Sequence, residues 1–175
     1  MLRNSKLVII RGPAGSGKST IARAVQEKTA SAGIPIALLE QDYYRERTIL
    51  PKKGTRELRN KKMYADAVFL LSEGCHVIIE GSVDANRHRR YIDSLIEQHP
   101  HGNSLFYFNL SFEETVRRDM ERREVDQERI ALLRSWYEEY SSMGYAFEHE
   151  IAAGMKKSDI VELVLGASGL SSVIR

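Results

Sequence analysis

Apolar residues fall in short blocks along the chain: Leu7–Ile10, Ile34–Leu39, Val77–Ile79, Leu105–Leu110 and a weaker one at Ile160–Leu165. Each block is nearly continuous rather than alternating, as in strands covered on both faces. Between the blocks, Ser19–Thr29, Thr55–Leu71, Arg87–Gln98 and Phe112–Glu124 repeat apolar residues at helical spacing. Strands alternating with helices predict an α/β fold, a parallel sheet wrapped by helices. Ser111 with Glu114 three residues on reads as a capping box, turning the fourth strand straight into a helix. Gly33 before Ile34-Pro35 ends the first helix. Residues 41–60 are polar, with Pro51 and Gly54, and read as a loop leading into a helix. After Glu124 the pattern stays helical through Trp136 and Tyr140, with Trp136-Tyr137 read as core or subunit packing.

Length and composition narrow the class. A chain of 175 residues with 42% hydrophobic and 29% charged residues fits one globular domain able to bury its own core. A formal net charge of +2 does not point to a nucleic-acid partner. Cys75 is the single cysteine, so no internal disulfide forms and a reducing compartment is expected. No membrane span and no signal-type apolar region is legible, which makes the expected location cytoplasmic. The histidines show no ligand spacing, and His99-Pro100-His101 reads as a turn.

Chemistry enters at "RGPAGSGKST", directly after the first block. Gly12, four residues, then Gly17-Lys18-Ser19 is the spacing of a phosphate-cradling loop. Glycines let the stretch Gly12, Pro13, Ala14, Gly15, Ser16, Gly17 curl so that its N–H groups face phosphate oxygens. The helix beginning at Lys18, Ser19 and Thr20 adds its positive dipole end. Lys18 reaches the β- and γ-phosphates, and the Ser19 hydroxyl suits Mg²⁺. A switch GTPase would also carry Asp-x-x-Gly and Asn-Lys-x-Asp, and neither occurs. A remodelling ATPase needs a larger chain, so a kinase fits best.

Two acids fall where strands end. Asp42 follows the second block and suits a base that takes the proton of an acceptor hydroxyl, or it simply begins a turn. Glu80 ends the third block in "HVIIEGS" and suits a Mg²⁺ contact, or an exposed strand end. In "SFEETVRRDMERRE", Arg117, Arg118, Arg122 and Arg123 alternate with acids. They read either as a salt-bridged helix, with pairs Glu113–Arg117, Glu114–Arg118 and Asp119–Arg123, or as a lid over the phosphates. Arg118 and Arg122 are the favoured catalytic pair. Tyr43, Tyr44, Arg45, Arg47, Lys52, Lys53 and Arg87, Arg89, Arg90 surround the two acids as acceptor contacts or exposed charges.

Taken together, "GPAGSGKST", "LLEQDYY", "VIIEGSVDANRHRRYIDSLI", "YFNLSFEETVRRDMERR" and "LRSWYEEY" resemble the P-loop kinase superfamily. The likeness is to the group with gluconate, shikimate, uridine, adenylylsulfate and zeta-toxin kinases, and nearest to small bacterial AAA-family kinases. It implies a P-loop NTPase three-layer sandwich with a five-stranded parallel sheet of order 2-3-1-4-5 and a short arginine-bearing lid. It implies ATP with Mg²⁺ as donor, Asp42 as base, Glu80 near the metal, and lid arginines within 117–123. "QDYY" is similar to the segment that carries the acceptor-binding Asp in uridine and ribosylnicotinamide kinases, which makes Tyr43 or Tyr44 an acceptor contact. Arg87, after Glu80, is a further one as a basic group able to grip an anionic acceptor. Two departures stand out. The Asp-Gly-hydrophobic-Pro-Arg motif of nucleoside monophosphate kinases is missing, and no triple glycine follows the third block. The expected partner is a small-molecule acceptor bearing a hydroxyl, and the expected state a monomer or homodimer. A nucleoside, nucleotide, nucleic-acid end or antibiotic as acceptor, and a regulatory ATPase acting through a partner, remain the alternatives.

Overall fold

The computed structural model describes residues 5–46, 55–121, 124–137 and 142–174. Five strands form one sheet: β1 (Leu7–Arg11), β2 (Ile36–Glu40), β3 (His76–Gly81), β4 (Asn103–Asn109) and β5 (Glu148–Ala152). All four pairings are parallel and the order is β2-β3-β1-β4-β5, as the resemblance implied. The helices are α1 (Lys18–Ala30), α2 (Gln41–Glu46), α3 (Thr55–Ser72), α4 (Ala85–Gln98), α5 (Phe112–Met120), α6 (Gln127–Trp136) and α7 (Lys157–Ala167). A short 3₁₀ turn follows at Leu170–Ser172. No helix among the described residues is long and apolar enough to cross a membrane.

Strand alternation divides the core into two layers. Val8, Ile10, Ile78, Phe106 and Phe108 face α1 and α7, meeting Ile21, Val25, Val161 and Val164. Leu7, Ile9, Val77, Ile79 and Leu105 face the other way, meeting Met63, Ala67 and Leu71 of α3 and Ile92 and Leu95 of α4. Both faces of the central strands are therefore covered, which is why their sequences read as unbroken apolar runs. Burying each such side chain fully contributes about 1.5–3 kcal/mol.

Three expectations need correction. Ile160–Leu165 is helical, part of α7, and the fifth strand is Glu148–Ala152. In "EHEIA" Ile151 is the one side chain that enters the apolar core, because β5 is an edge strand, so its sequence carries no apolar run. Residues 41–60 are not all loop: α2 occupies Gln41–Glu46 and α3 starts at Thr55. The helix expected over Phe112–Glu124 stops at Met120. Asp126 then caps a separate α6, its side chain accepting from the Arg129 N–H at 2.7 Å. Tyr140 lies outside the described residues. Tyr137 ends α6 and donates to the Leu110 carbonyl at 2.9 Å, while Trp136 is about half exposed.

The order of strands fixes where a ligand can enter. After β1 the chain turns to α1 on one face, and after β3 it turns to α4 on the other. Because β1 and β3 are neighbours, their departing loops diverge and open a crevice beyond the strand ends.

Candidate active site

One wall of the crevice is the Gly12–Thr20 turn. Gly17, at φ +99, caps α1 in the left-handed region, a conformation that side chains resist. At Gly12 a Cβ would sit 2.8 Å from the Phe108 Cβ, so only glycine lets the loop lie this close to β4. The Ser16 N–H donates to the Pro13 carbonyl at 3.2 Å, tightening the curl. Pro13 and Ser16 are buried, Ala14 and Gly15 half-buried and Thr20 exposed. The Ser16 hydroxyl is buried without a hydrogen-bond partner among the described residues. An orphaned hydroxyl in a turn of this shape fits a loop whose partner is an anion.

Lys18 and Ser19 converge on the opposite strand. The Lys18 ammonium is 3.8 Å from a Glu80 carboxylate oxygen and donates to the Pro13 carbonyl at 3.3 Å. The Ser19 hydroxyl donates to the same Glu80 oxygen at 3.0 Å. Glu80 itself is buried at the end of β3, directly opposite Ile10 and Glu40 in register. Burial pushes its carboxyl above the usual carboxylate range. Lys18 and the Ser19 hydroxyl pull it down, whereas Glu40 and Asp42 push it up. A carboxylate under those opposing fields gains from an added cation.

The described residues contain no group of three or more His, Cys, Asp or Glu side chains able to hold a metal by themselves. A hard divalent ion here would rest on Ser19, Glu80 and oxygens of its ligand, which suits Mg²⁺ better than an all-protein cage.

Asp42 sits in the first turn of α2, its side chain 75% exposed and paired with Arg45 at 3.0 Å. Tyr43 is exposed beside it, and the two neighbouring tyrosine rings meet edge to face. Tyr44 points inward, its hydroxyl donating to Asp66 of α3 at 2.8 Å, and burial raises its pKa. Arg87, in the first turn of α4, donates to the capping Asp84 carboxylate through both its backbone N–H and its Nε.

Arg118 is half-buried and holds three groups at once. It donates to the Ser16 carbonyl at 2.7 Å, the Ala153 carbonyl at 2.6 Å and the Glu114 carboxylate at 2.7 Å. The expected Glu114–Arg118 pair is present, but Arg117 pairs with Glu114 and Glu121 rather than Glu113. Asp119 pairs with Arg129 of α6. Arg122 and Arg123 lie outside the described residues, as do Arg47, Lys52 and Lys53.

Gln41, the residue before Asp42, meets His88 of α4 in a contact that no motif singles out. The Gln41 amide nitrogen is 3.3 Å from the His88 Nε2. Neither spacing nor composition signals this contact, because the two residues stand 47 positions apart.

Comparisons with known proteins agree with the topology. Residues 7–140 match the family model of an AAA domain. No curated protein matches the chain. Among solved structures, the chain is similar to the APS kinase of Mycobacterium tuberculosis, with TM-score 0.72 and 17% identity, covering 94% of this chain and 98% of that one. It is also similar to a gluconokinase from Sinorhizobium meliloti 1021, with TM-score 0.61 and 19% identity, covering 98% and 95%. The tunicamycin resistance protein of Deinococcus radiodurans gives TM-score 0.61 and 21% identity, covering 94% and 96%. Likenesses at this level of identity establish a shared fold alone, the α/β fold of P-loop NTPases.

Proposed function

The chain belongs to the AAA-domain family, and from that premise we propose that it is an ATP-dependent kinase acting on a hydroxyl of a small molecule. The observation that carries the reading is the convergence of Lys18 and Ser19 on the buried Glu80 at the mouth of the crevice.

In this reading the Gly12–Thr20 turn and the Lys18 ammonium hold the phosphates of ATP. Ser19 and Glu80 would hold Mg²⁺, which supplies positive charge to the β- and γ-phosphoryl oxygens. Asp42 accepts the proton of the acceptor hydroxyl as its oxygen bonds to the γ-phosphorus. The bond from γ-phosphorus to the bridging oxygen breaks, and ADP leaves. Tyr43 and Arg87 contact the acceptor, and Tyr44 anchors α2 through Asp66. Arg118, which already reaches the turn through the Ser16 carbonyl, supplies with Arg122 the positive charge that the transferring group needs.

The test is direct. Purified protein is offered ATP, Mg²⁺ and a panel of sugars, nucleosides and hydroxylated antibiotics, and products are read by mass for one added phosphate. Lys18→Ala should abolish ADP release, and Asp42→Asn should abolish transfer while ATP still binds. An Asp42→Asn protein that phosphorylates its acceptor at the wild-type rate would sink the assignment of the base.

A further inference from the structure

Behind Asp42 lies a buried polar chain that the phosphoryl transfer does not use. His88, on α4, is 2% exposed and both its ring nitrogens are engaged. Nε2 lies 3.3 Å from the Gln41 amide nitrogen and Nδ1 lies 3.2 Å from the Tyr64 hydroxyl. A neutral imidazole has one acceptor and one donor nitrogen, so the ring completes one bond on each side. With Gln41 donating to Nε2, the Nδ1–H donates to the Tyr64 oxygen. Tyr64 is itself fixed, buried in α3 and stacked on Tyr91 with 5.1 Å between ring centroids. Burial, with Arg87 and Arg56 adding to it and Asp84 opposing, pushes the His88 pKa down to about 4. The neutral ring that this geometry needs is therefore the form present near pH 7.

Gln41 is gripped from its other side by β3. A Cβ on Gly81 would come within 2.5 Å of the Gln41 Cβ and 2.7 Å of its Oε1. Gln41 thus threads between the residue after Glu80 and the His88 ring, and it is also the residue before Asp42. The segment it steers needs such an anchor. Helix α2 has only six residues, too few to hold itself, and the Asp42 side chain is mostly exposed. Its inward positions are Gln41 and Tyr44, three apart on one face, tied to His88 and Asp66. Asp42 and Tyr43 are left on the outer face, turned to solvent.

We propose that His88 is a positioning residue: by hydrogen bonding Gln41 it fixes the first turn of α2, and so sets the Asp42 carboxylate relative to Glu80. The catalytic consequence rests on the reading of Asp42 as proton acceptor. The positioning itself is a property of the protein without ligands.

Two variants separate the two ring nitrogens. In His88→Gln the amide reaches the place of Nε2 and keeps the bond to Gln41 while losing Tyr64. In His88→Asn the shorter amide reaches the place of Nδ1 and keeps Tyr64 while losing Gln41. Hydrogen exchange of the amides of residues 41–46, the ¹³C shift of the Asp42 carboxyl, Mg²⁺-ADP affinity, and ATP turnover with water as acceptor are measured on both. His88→Asn should raise exchange across 41–46 about tenfold, displace the Asp42 shift and slow turnover about tenfold, with Mg²⁺-ADP affinity unchanged. His88→Gln should stay within about twofold of the parent protein on every readout. Equal behaviour of the two variants, or exchange rising equally over α3 and α4, overturns the proposal. Failure of the catalytic reading looks different: Asp42→Asn would then turn over ATP normally while the exchange contrast between the two His88 variants persists.

Discussion

The Ser19 hydroxyl donates to the Glu80 carboxylate at 3.0 Å across 61 residues of chain. Ser19 lies in the first turn of α1 and Glu80 is the penultimate residue of β3, so the bond ties the phosphate turn to the strand beside it. Glu80 is buried, and its carboxyl is held above its usual range chiefly by burial, so ionising it is costly unless a cation is near. In the kinase reading, Glu80→Gln should lower Mg²⁺ affinity or ATP turnover about 10–100-fold, as loss of a metal's supporting carboxylate does elsewhere. Titrating turnover against Mg²⁺ concentration measures this, and an unchanged Mg²⁺ requirement would remove Glu80 from the metal site.

Arg118 acts as a strut between the phosphate turn and the loop after β5. Its carbonyl partners lie 102 and 35 residues away in sequence, and Glu114 fixes the remaining face of the guanidinium. A lysine cannot reach three acceptors in a planar fork. Arg118→Lys should leave a carbonyl at Ser16 or Ala153 without its donor, costing about 1–3 kcal/mol. Because one of those carbonyls belongs to the turn, ADP affinity should fall together with the urea midpoint. Loss of stability with ADP affinity intact would make Arg118 a purely structural strut.

The sheet was legible where strands are covered on both faces, and the site was legible where one motif spans it. Leu7–Arg11 and His76–Gly81 are wholly buried, so their composition reveals them. β5 pairs on one side only, and its Glu148, His149 and Glu150 follow partners rather than a core, so nothing in "EHEIA" announces a strand. The run at Ile160–Leu165 misleads for a related reason: six residues are too few to separate a helix stripe from a strand. Gly12 to Ser19 forms a site from consecutive residues, whereas Arg118 on Ser16 and His88 on Gln41 are meetings of distant chain. Only the fold brings such pairs together.

The buried histidine also predicts a pH dependence. His88 takes up its proton near pH 4 when folded and near 6.5 when unfolded. Between those values the unfolded chain binds more protons, so stability falls as pH drops from about 6.5 toward 4. A depression of that size corresponds to a loss on the order of 3 kcal/mol by the bottom of the window. His76 and His99 are lowered as well and add to the same slope. Glu114, held down to about 2 by Arg117 and Arg118, steepens it as pH falls through 4.5, and Glu80, held up by burial, opposes it. The difference between parent and His88→Gln isolates the one residue. Thermal midpoints measured from pH 7.5 to 4.5 should fall less steeply in the variant, and parallel curves would deny His88 its part.

The pair Arg11–Glu148 offers the sharpest stability test, because it is both buried and adjacent to the phosphate turn. The two side chains are 1% and 3% exposed with 2.8 Å between nitrogen and oxygen. Arg11 also lies over the Tyr107 ring at 5.0 Å, and it immediately precedes Gly12. Glu148 is more than a counter-ion. Its second oxygen accepts from the Ser142 hydroxyl and from the N–H groups of Met143 and Gly144, folding the approach to β5. Glu148→Ala leaves a guanidinium in the interior without its carboxylate, and breaking such a pair from one side costs about 3–5 kcal/mol. Replacing both partners by apolar residues, Arg11→Met with Glu148→Leu, removes the stranded charge and should recover part of that loss. It cannot restore the acceptor for the Met143 N–H and the Ser142 hydroxyl, although the Gly144 N–H keeps the Ser142 oxygen. The double variant should therefore stay below the parent by about 1–3 kcal/mol, the cost of leaving those donors unmet. Urea midpoints of the three proteins decide it. A double variant as stable as the parent would mean that Glu148 serves Arg11 alone, and one no better than Glu148→Ala would mean that the turn at 142–144 carries the whole effect.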